Sequence, residues 1–164
     1  MSEDQVTVRR AVEADEAALL GIELTAWDAS SGFPSLTPAD RTSFFTERSG
    51  PEAHLVAEED GVVLGYIRLQ DKYTFPEGSG VLSVNGLAVA EKARGRGIGS
   101  ILLTAVTDEA GRRGAHKISL HVHATNAAAR RLYERHGYVV EGTHPREFLI
   151  EGAYVDSLDL AKYI

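Results

Sequence analysis

The residues best suited to binding an anion form one short basic, glycine-rich segment, Arg94-Gly95-Arg96-Gly97-Ile98-Gly99. It follows an apolar stretch predicted to be a strand, Val81–Val89, and it opens an amphipathic stretch predicted to be a helix, Gly97–Arg113. A helix N-terminus carries unpaired N–H groups and the positive end of the helix dipole, and glycines let a phosphate approach that backbone closely. The segment therefore predicts a phosphate-binding turn, where the alternative is a plain strand-to-helix connection.

Two common nucleotide-binding motifs do not fit this segment. A dinucleotide turn needs G-x-G-x-x-G, and counting from Gly95 the last glycine position is occupied by Ser100. The acid expected roughly 20 residues further on is replaced by His121 and His123. The G-K-[ST] sequence of a Walker turn is also absent.

A second pattern lies downstream, Asn126-x-x-Ala129-x-x-Leu132-Tyr133-x-x-x-Gly137-Tyr138. Asn126 predicts the N-cap of a helix that runs to about His136, and Gly137 predicts its end. Together with Arg94-x-x-Gly97-x-Gly99, this pattern resembles the two signatures of the GNAT superfamily of N-acetyltransferases. The resemblance is sharp from Val81 to Tyr138. It extends to members that act on small molecules, amino acids or ribosomal proteins.

The resemblance implies a role for each residue of these two motifs, with acetyl-CoA as the donor and coenzyme A as a product. Backbone groups near Leu87 and Val89 would hold the pantetheine arm and polarise the thioester carbonyl. Asn126 would contact the pantetheine region besides capping its helix. Tyr133 would act as the general acid that protonates the departing thiolate, although packing is the commoner role of a helical tyrosine. The backbone amides that would bind the pyrophosphate belong to Arg94, Gly95, Arg96, Gly97, Ile98, Gly99 and Ser100.

Several groups could serve as the base that deprotonates the acceptor. Many relatives carry a glutamate on the central strand, but 83–87 contains no carboxylate. His121 and His123 share the polar face of the predicted strand Lys117–His123, and histidine titrates near neutral pH. Ordinary surface roles for both, a base acting through water, and an amine that arrives neutral are the alternatives. The two histidines lack a third ligand, so no metal is expected.

The acceptor pocket is expected where the first helices, their loop and the closing hairpin meet. The aromatic candidates for its walls are Trp27, Phe33, Phe44 and Phe45, and Trp27 could equally be a core anchor. The C-terminal segment 146–160 resembles a hairpin of relatives that act on small amines, amino acids or protein N-termini. The rival to an enzyme is a non-catalytic acyl-CoA-binding sensor on the same fold. Tyr133 favours the enzyme because a sensor needs no proton donor.

The composition sets limits on compartment and partners. The chain has 164 residues, no cysteine and a net charge of −7. Disulfides, thiolate metal sites and a cysteine nucleophile are therefore excluded. The negative field argues against nucleic-acid or anionic-membrane partners, and an acidic N-terminus without an apolar run predicts a cytoplasmic protein. A homodimer remains open.

The order of the elements that must position these residues predicts a domain of mixed α/β class. The resemblance implies one N-acetyltransferase domain over 1–164, with a central splayed sheet of about six to seven strands flanked by about four helices. Asp60-Gly61 predicts a hairpin turn, and Gly86 within Val81–Val89 predicts a bulge or a close backbone approach. Thr37-Pro38-Ala39-Asp40 predicts the start of a helix to about Arg48, and Gly152 predicts the turn of the closing hairpin.

Overall fold

The computed structural model describes residues 5–36 and 40–164. The two strands and two helices predicted between Val81 and His136 are confirmed, with boundaries shifted by at most one residue. The strands are β1 Thr7–Arg10, β2 His54–Glu59, β3 Val62–Asp71, β4 Val81–Val89, β5 Lys117–His123, β6 Val139–Ile150 and β7 Ala153–Tyr163. The α-helices of the described residues are α1 Glu16–Ala26, α2 Ile98–Arg112 and α3 Ala127–Arg135.

The seven strands form one sheet in the order β1-β2-β3-β4-β5-β7-β6. Every neighbouring pair is antiparallel except β4 and β5, which are parallel and joined through α2. The mixed α/β class is thereby confirmed. Both predicted hairpin turns are also confirmed, because Asp60 and Gly61 in one, and Glu151 and Gly152 in the other, have positive φ.

The predicted helix after Thr37 is wrong for the part that the structure describes. Residues 37–39 lie outside the described residues, and Asp40–Arg48 is not helical. Tertiary contacts override the local signal here. The Oε2 atom of Glu16 accepts the backbone N–H of both Phe44 and Phe45, at 2.8 and 2.7 Å. Three α-helices are therefore found in the described residues, where about four were expected.

The helix α2 provides much of the core against which the sheet packs. Its apolar face contacts β2, β3 and β4. The buried side chains of that face are Ile98, Leu102, Leu103, Val106 and Ala110. Burying each of the larger ones stabilises the fold by about 1.5–3 kcal/mol, so the start of α2 is held firmly beside β4. No helix in the described ranges has the length and apolar character needed to cross a bilayer.

The parallel strands β4 and β5 separate part-way along their length. Their pairing ends at Val84 and Leu120, although β4 continues to Val89 and β5 to His123. A bulge lies at this point, because Arg68 pairs with Gly86 while Leu69 pairs with Val84, which leaves Asn85 as the extra residue of β4. A bulge bends its strand and increases its twist. The irregularity predicted at Gly86 is confirmed, and it opens a gap between β4 and β5.

Candidate active site

The glycine-rich segment forms the connection from β4 into α2. Gly95 and Gly97 have φ of 80° and 79°, and Gly97 is the N-cap of the helix. The first helical amide with a partner is that of Ile101, which donates to the Gly97 carbonyl at 3.1 Å. Among the described residues, no group accepts a hydrogen bond from the amides of 95–100. This row of donors at a helix N-terminus fits a phosphate group.

Gly95 and Gly97 both face open space at the turn. A Cβ atom placed on Gly95 or Gly97 would meet no atom within 4 Å. The guanidinium of Arg96 pairs with Glu59, the last residue of β2, at 2.9 Å. Since a carboxylate already balances Arg96, the features of the turn that could attract a phosphate are the backbone amides and the exposed Arg94, which makes no ion pair within the described ranges.

The first turn of α2 is packed against α3. A Cβ atom on Gly99 would lie 3.0 Å from Cδ2 of Leu132, so a larger residue here would require the Leu132 side chain to move. The Oγ of Ser100 lies 3.0 Å from Nε2 of His136, the residue that ends α3. The two predicted motifs are therefore joined directly in space.

The backbone of β4 beyond the bulge has one free edge. The amide of Ala90 donates to the carbonyl of Leu64 at 2.8 Å, directly across the β3–β4 ladder. Because hydrogen-bonded pairs alternate in an antiparallel ladder, Ala88 also faces β3, whereas Leu87 and Val89 turn their N–H and C=O groups the other way. That other side is the gap, where β5 no longer pairs. These are the two residues predicted to hold a pantetheine arm.

A cavity of about 660 Å³ lies at the mouth of the gap. Of the predicted donor-site residues, Leu87, Asn126 and Tyr133 line it, whereas Val89 and Arg94–Ser100 do not. Of the predicted aromatic wall, Trp27 and Phe33 line it, whereas Phe44 and Phe45 do not and pack around His54 instead. The remaining aromatic residue of the wall is Phe148, whose ring lies 4.7 Å from that of Phe33.

Tyr133 lies on α3, with only 7% of its surface exposed at the cavity wall. Burial raises the pKa of its hydroxyl to about 12. The group therefore carries its proton at neutral pH and can donate it. The Asn126 side chain caps the same helix by accepting the Ala129 amide at 3.2 Å, so its predicted capping role is confirmed.

The two histidines of β5 both reach the cavity but differ in their surroundings. His123 is buried, with Nε2 at 3.1 Å from the Gly32 carbonyl. His121 is exposed, and its Nδ1 lies 2.5 Å from Oδ1 of Asp159. The other oxygen of Asp159 lies 2.7 Å from Nε2 of His144, whose pKa this hydrogen bond raises. Within the described ranges, no group of three or more side chains is arranged to hold a metal ion.

Sequence reasoning missed the charged groups on the far wall of the cavity. Glu23 of α1 accepts hydrogen bonds from the Tyr66 hydroxyl, from Nε1 of Trp27 at 2.8 Å and from Nη1 of Arg41 at 3.2 Å. Arg68 of β3 also lines the cavity. The residues come from separate segments, so no local spacing could have linked them. Of these groups, only Arg68 is connected to a predicted feature, because it pairs with Gly86, where the sequence predicted an irregularity of the strand.

Comparison with known proteins agrees with this geometry. The chain matches the Acetyltransferase (GNAT) family over residues 21–138, and it belongs to that family. It is similar to the L-methionine sulfoximine/L-methionine sulfone acetyltransferase of Salmonella typhimurium, with 33% identity over 62% of this chain and 59% of the relative. It is also similar to the protein of that name from Pseudomonas aeruginosa, with 28% identity over 92% of this chain and 90% of the relative.

The chain spans between 37% and 59% of the length of three relatives that it matches at 33–37% identity. Among solved structures, it resembles yncA of Salmonella typhimurium in complex with its cofactor acetyl-CoA. The TM-score is 0.75 and the identity 26%, over 96% of this chain and 93% of that one. Family membership and this neighbour support acetyl-CoA as the donor for the present chain.

Proposed function

We propose that this protein transfers the acetyl group of acetyl-CoA to a primary amine within a ternary complex, with Tyr133 as the general acid. The observation that carries the proposal is the gap between β4 and β5, which has a protonated tyrosine at its mouth. A sheet that opens in this way offers unpaired backbone groups for an extended ligand arm. The similarity to acetyltransferases supports the same reading.

The donor would lie along the free edge of β4 and end at the start of α2. The amides of 95–100 would bind the pyrophosphate, because the helix dipole and six neighbouring N–H groups favour an anion there. The exposed groups of Leu87 and Val89 would pair with the amides of the pantetheine arm. Asn126, at the cavity wall, would contact the same arm. Bound there, acetyl-CoA supplies an activated thioester carbonyl.

Tyr133 would then supply a proton as the thiolate leaves. A hydroxyl with a pKa of about 12 holds its proton at neutral pH, and its place at the cavity wall would let it reach the leaving thiolate. The cavity also holds His121, whose ring Asp159 orients through Nδ1. Nε2 of His121 is thus one available acceptor for the ammonium proton, besides water or an amine that arrives neutral.

The acceptor would enter from the aromatic wall, opposite the donor. Two relatives named for acting on L-methionine sulfoximine and L-methionine sulfone favour a small amine over a large substrate. Both of those acceptors are amino-acid derivatives. This wall has to distinguish three classes of acceptor: a small amine, a free amino acid and a protein N-terminus.

The experiment that tests this proposal is the turnover of Tyr133→Phe. The change removes the hydroxyl and keeps the ring, so we expect turnover to fall roughly 10²- to 10⁴-fold, the usual effect of a general acid. The affinity for acetyl-CoA should barely change.

Tyr138→Phe is the matched control. Its ring lies 5.7 Å from that of Tyr133, and its buried hydroxyl has no hydrogen-bond partner among the described residues. This variant should keep parental turnover. If Tyr133→Phe stayed within about threefold of the parent, Tyr133 would not be the acid. If the parent bound acetyl-CoA and transferred nothing, the chain would be a sensor.

A further inference from the structure

Arg68 is a cavity-lining cation that no described carboxylate contacts directly. The other arginine of the cavity, Arg41, pairs with Glu23 at 3.2 Å. Arg68 makes no ion pair within the described ranges, and its hydrogen bond there runs from Nε to Oε1 of Gln70 at 3.1 Å. Burial lowers the pKa of Arg68. The negative charge of Glu23 offsets this only in part. A half-buried guanidinium without a contacting anion is unfavourable, so the site favours a ligand that brings one.

A chain of hydrogen bonds fixes the direction of this guanidinium. Oε1 of Gln70 also accepts from Nδ2 of Asn85 at 3.2 Å, and Nε2 of Gln70 donates to the Arg48 carbonyl at 2.8 Å. Oδ1 of Asn85 accepts in turn from Oγ of Ser83 at 2.9 Å. Since this network uses Nε alone, both terminal nitrogens of Arg68 stay available. A planar pair of N–H donors matches the two oxygens of a carboxylate.

The position of Arg68 relates this anion site to the expected site of transfer. Arg68 pairs with Gly86, next to the bulge at Asn85. Leu87 follows, and its backbone faces the gap in which the thioester is expected. In an α-amino acid one carbon atom separates the amine from the carboxylate. A carboxylate on Arg68 would therefore hold the amine beside Gly86 and Leu87.

The rest of the cavity offers the acceptor an apolar surface. Trp27, Phe33 and Phe148 line it, and the hydrogen bond from Nε1 to Glu23 fixes the indole of Trp27. Glu23 cannot serve as a free anion for the substrate ammonium, because Arg41, Tyr66 and Trp27 already donate to it. The three aromatic rings thus suit an apolar side chain, and the carboxylate of Glu147, which also lines the cavity, would disfavour an anionic one.

We propose that the acceptor is a free α-amino acid with an apolar side chain, whose carboxylate binds Arg68. This inference rests on the proposed function and narrows it. A protein N-terminus carries a neutral amide where the free amino acid carries its carboxylate, and a simple amine carries no such group. Both should therefore be poor acceptors, since Arg68 would stay unpaired.

The test compares apolar L-amino acids with their amides and with dipeptide amides, in the parent, Arg68→Gln and Arg112→Gln. Arg112 is a matched control because it is an exposed arginine on α2 that pairs with Glu109. Arg68→Gln should lower kcat/KM for free amino acids roughly 10- to 100-fold, the usual effect of losing a hydrogen-bonded charge. The values for amides should stay within about threefold, and Arg112→Gln should change neither. Calorimetric titration of L-methionine into the protein saturated with coenzyme A should show the same loss of affinity.

The outcomes separate this inference from the function on which it rests. Equal use of acids and amides by the parent, or an equal loss for both in Arg68→Gln, would overturn the role of Arg68. Transfer to amides or peptides, with none to free amino acids, would overturn the substrate class and leave the transferase intact. An absence of transfer to every acceptor would contradict the proposed function and this inference with it.

Discussion

The region proposed to bind the donor (the donor side) and the region proposed to bind the acceptor (the acceptor side) are built in different ways. The donor side, between Val81 and Tyr138, is one continuous strand–helix–strand–helix segment that offers mainly backbone groups: the amides of 95–100 and the free edge at Leu87 and Val89. The acceptor side offers side chains from α1 and the loop that follows it, from β3 and from β6. Proteins that share one donor and differ in their acceptors would be expected to show this division between backbone and side-chain recognition.

This difference predicts how substitutions should behave on the two sides. Backbone recognition depends on conformation, so a change on the donor side acts through the dihedral angles and space of the turn. Side-chain recognition depends on residue type, so a change on the acceptor side should affect one substrate and spare the other. The substitutions below test this division, from the largest expected effect to the smallest.

The largest effect is expected from Gly97→Val. The φ of 79° is strained for a β-branched residue, and the new side chain would enter the open space beside the turn. We expect acetyl-CoA binding to be lost in a calorimetric titration. Gly114→Val is the matched control, since Gly114 has a similar φ of 75° and equally open space at the opposite end of α2.

The control should lose stability and keep its affinity for acetyl-CoA. Arg96→Ala should weaken binding only modestly, because Glu59 already balances that charge. If Arg96→Ala were far more damaging than Gly97→Val in folded protein, side chains would bind the phosphates and the account of the turn would be wrong. Gly99→Val is less informative, because it would also disturb the packing against Leu132.

An intermediate effect is expected from Phe148→Ala on the acceptor side. Loss of the ring that contacts Phe33 should raise the KM of an apolar acceptor at least about tenfold and leave the affinity for acetyl-CoA unchanged. Leu149→Ala, the next residue on β6 and 64% exposed, should change neither. A parallel loss of donor affinity in Phe148→Ala would show that the two sides are not independent.

These two sides also differ in how far the sequence predicted them. The donor motifs were readable because their residues are close in sequence and glycines at positive φ leave a clear signal. Arg68, His144 and Asp159 were missed because strand register alone brings them to the cavity. The helix predicted from Thr37 failed over Asp40–Arg48 for a similar reason, since the distant Glu16 takes the amides of Phe44 and Phe45.

The smallest effect concerns the titration of His144. The hydrogen bond to Asp159 raises the pKa of His144 above the ordinary 6.5. The ion pair is therefore complete below about pH 6.5 and is lost as the pH rises through the raised pKa of His144. Burial would raise the pKa of Asp159, but its hydrogen bonds to the two histidines lower it overall. Asp159→Asn should therefore lower the NMR titration midpoint of His144. A midpoint in the parent at or below 6.5 would show that the pair does not form.

The central claim is that the turn 95–100 binds the pyrophosphate of coenzyme A, and thermal melts with matched ligands test it most directly. A ligand at a hundredfold excess over its Kd stabilises the folded state by about 2.7 kcal/mol, which should raise the Tm of a domain of this size by about 5–11 °C. Saturating acetyl-CoA should give such a shift, and plain coenzyme A most of it. Pantetheine, which lacks the pyrophosphate, and NAD, which lacks the pantetheine arm, should give little. Equal shifts from acetyl-CoA and pantetheine would contradict the role of the turn, and a shift from NAD with none from acetyl-CoA would contradict the acetyltransferase itself.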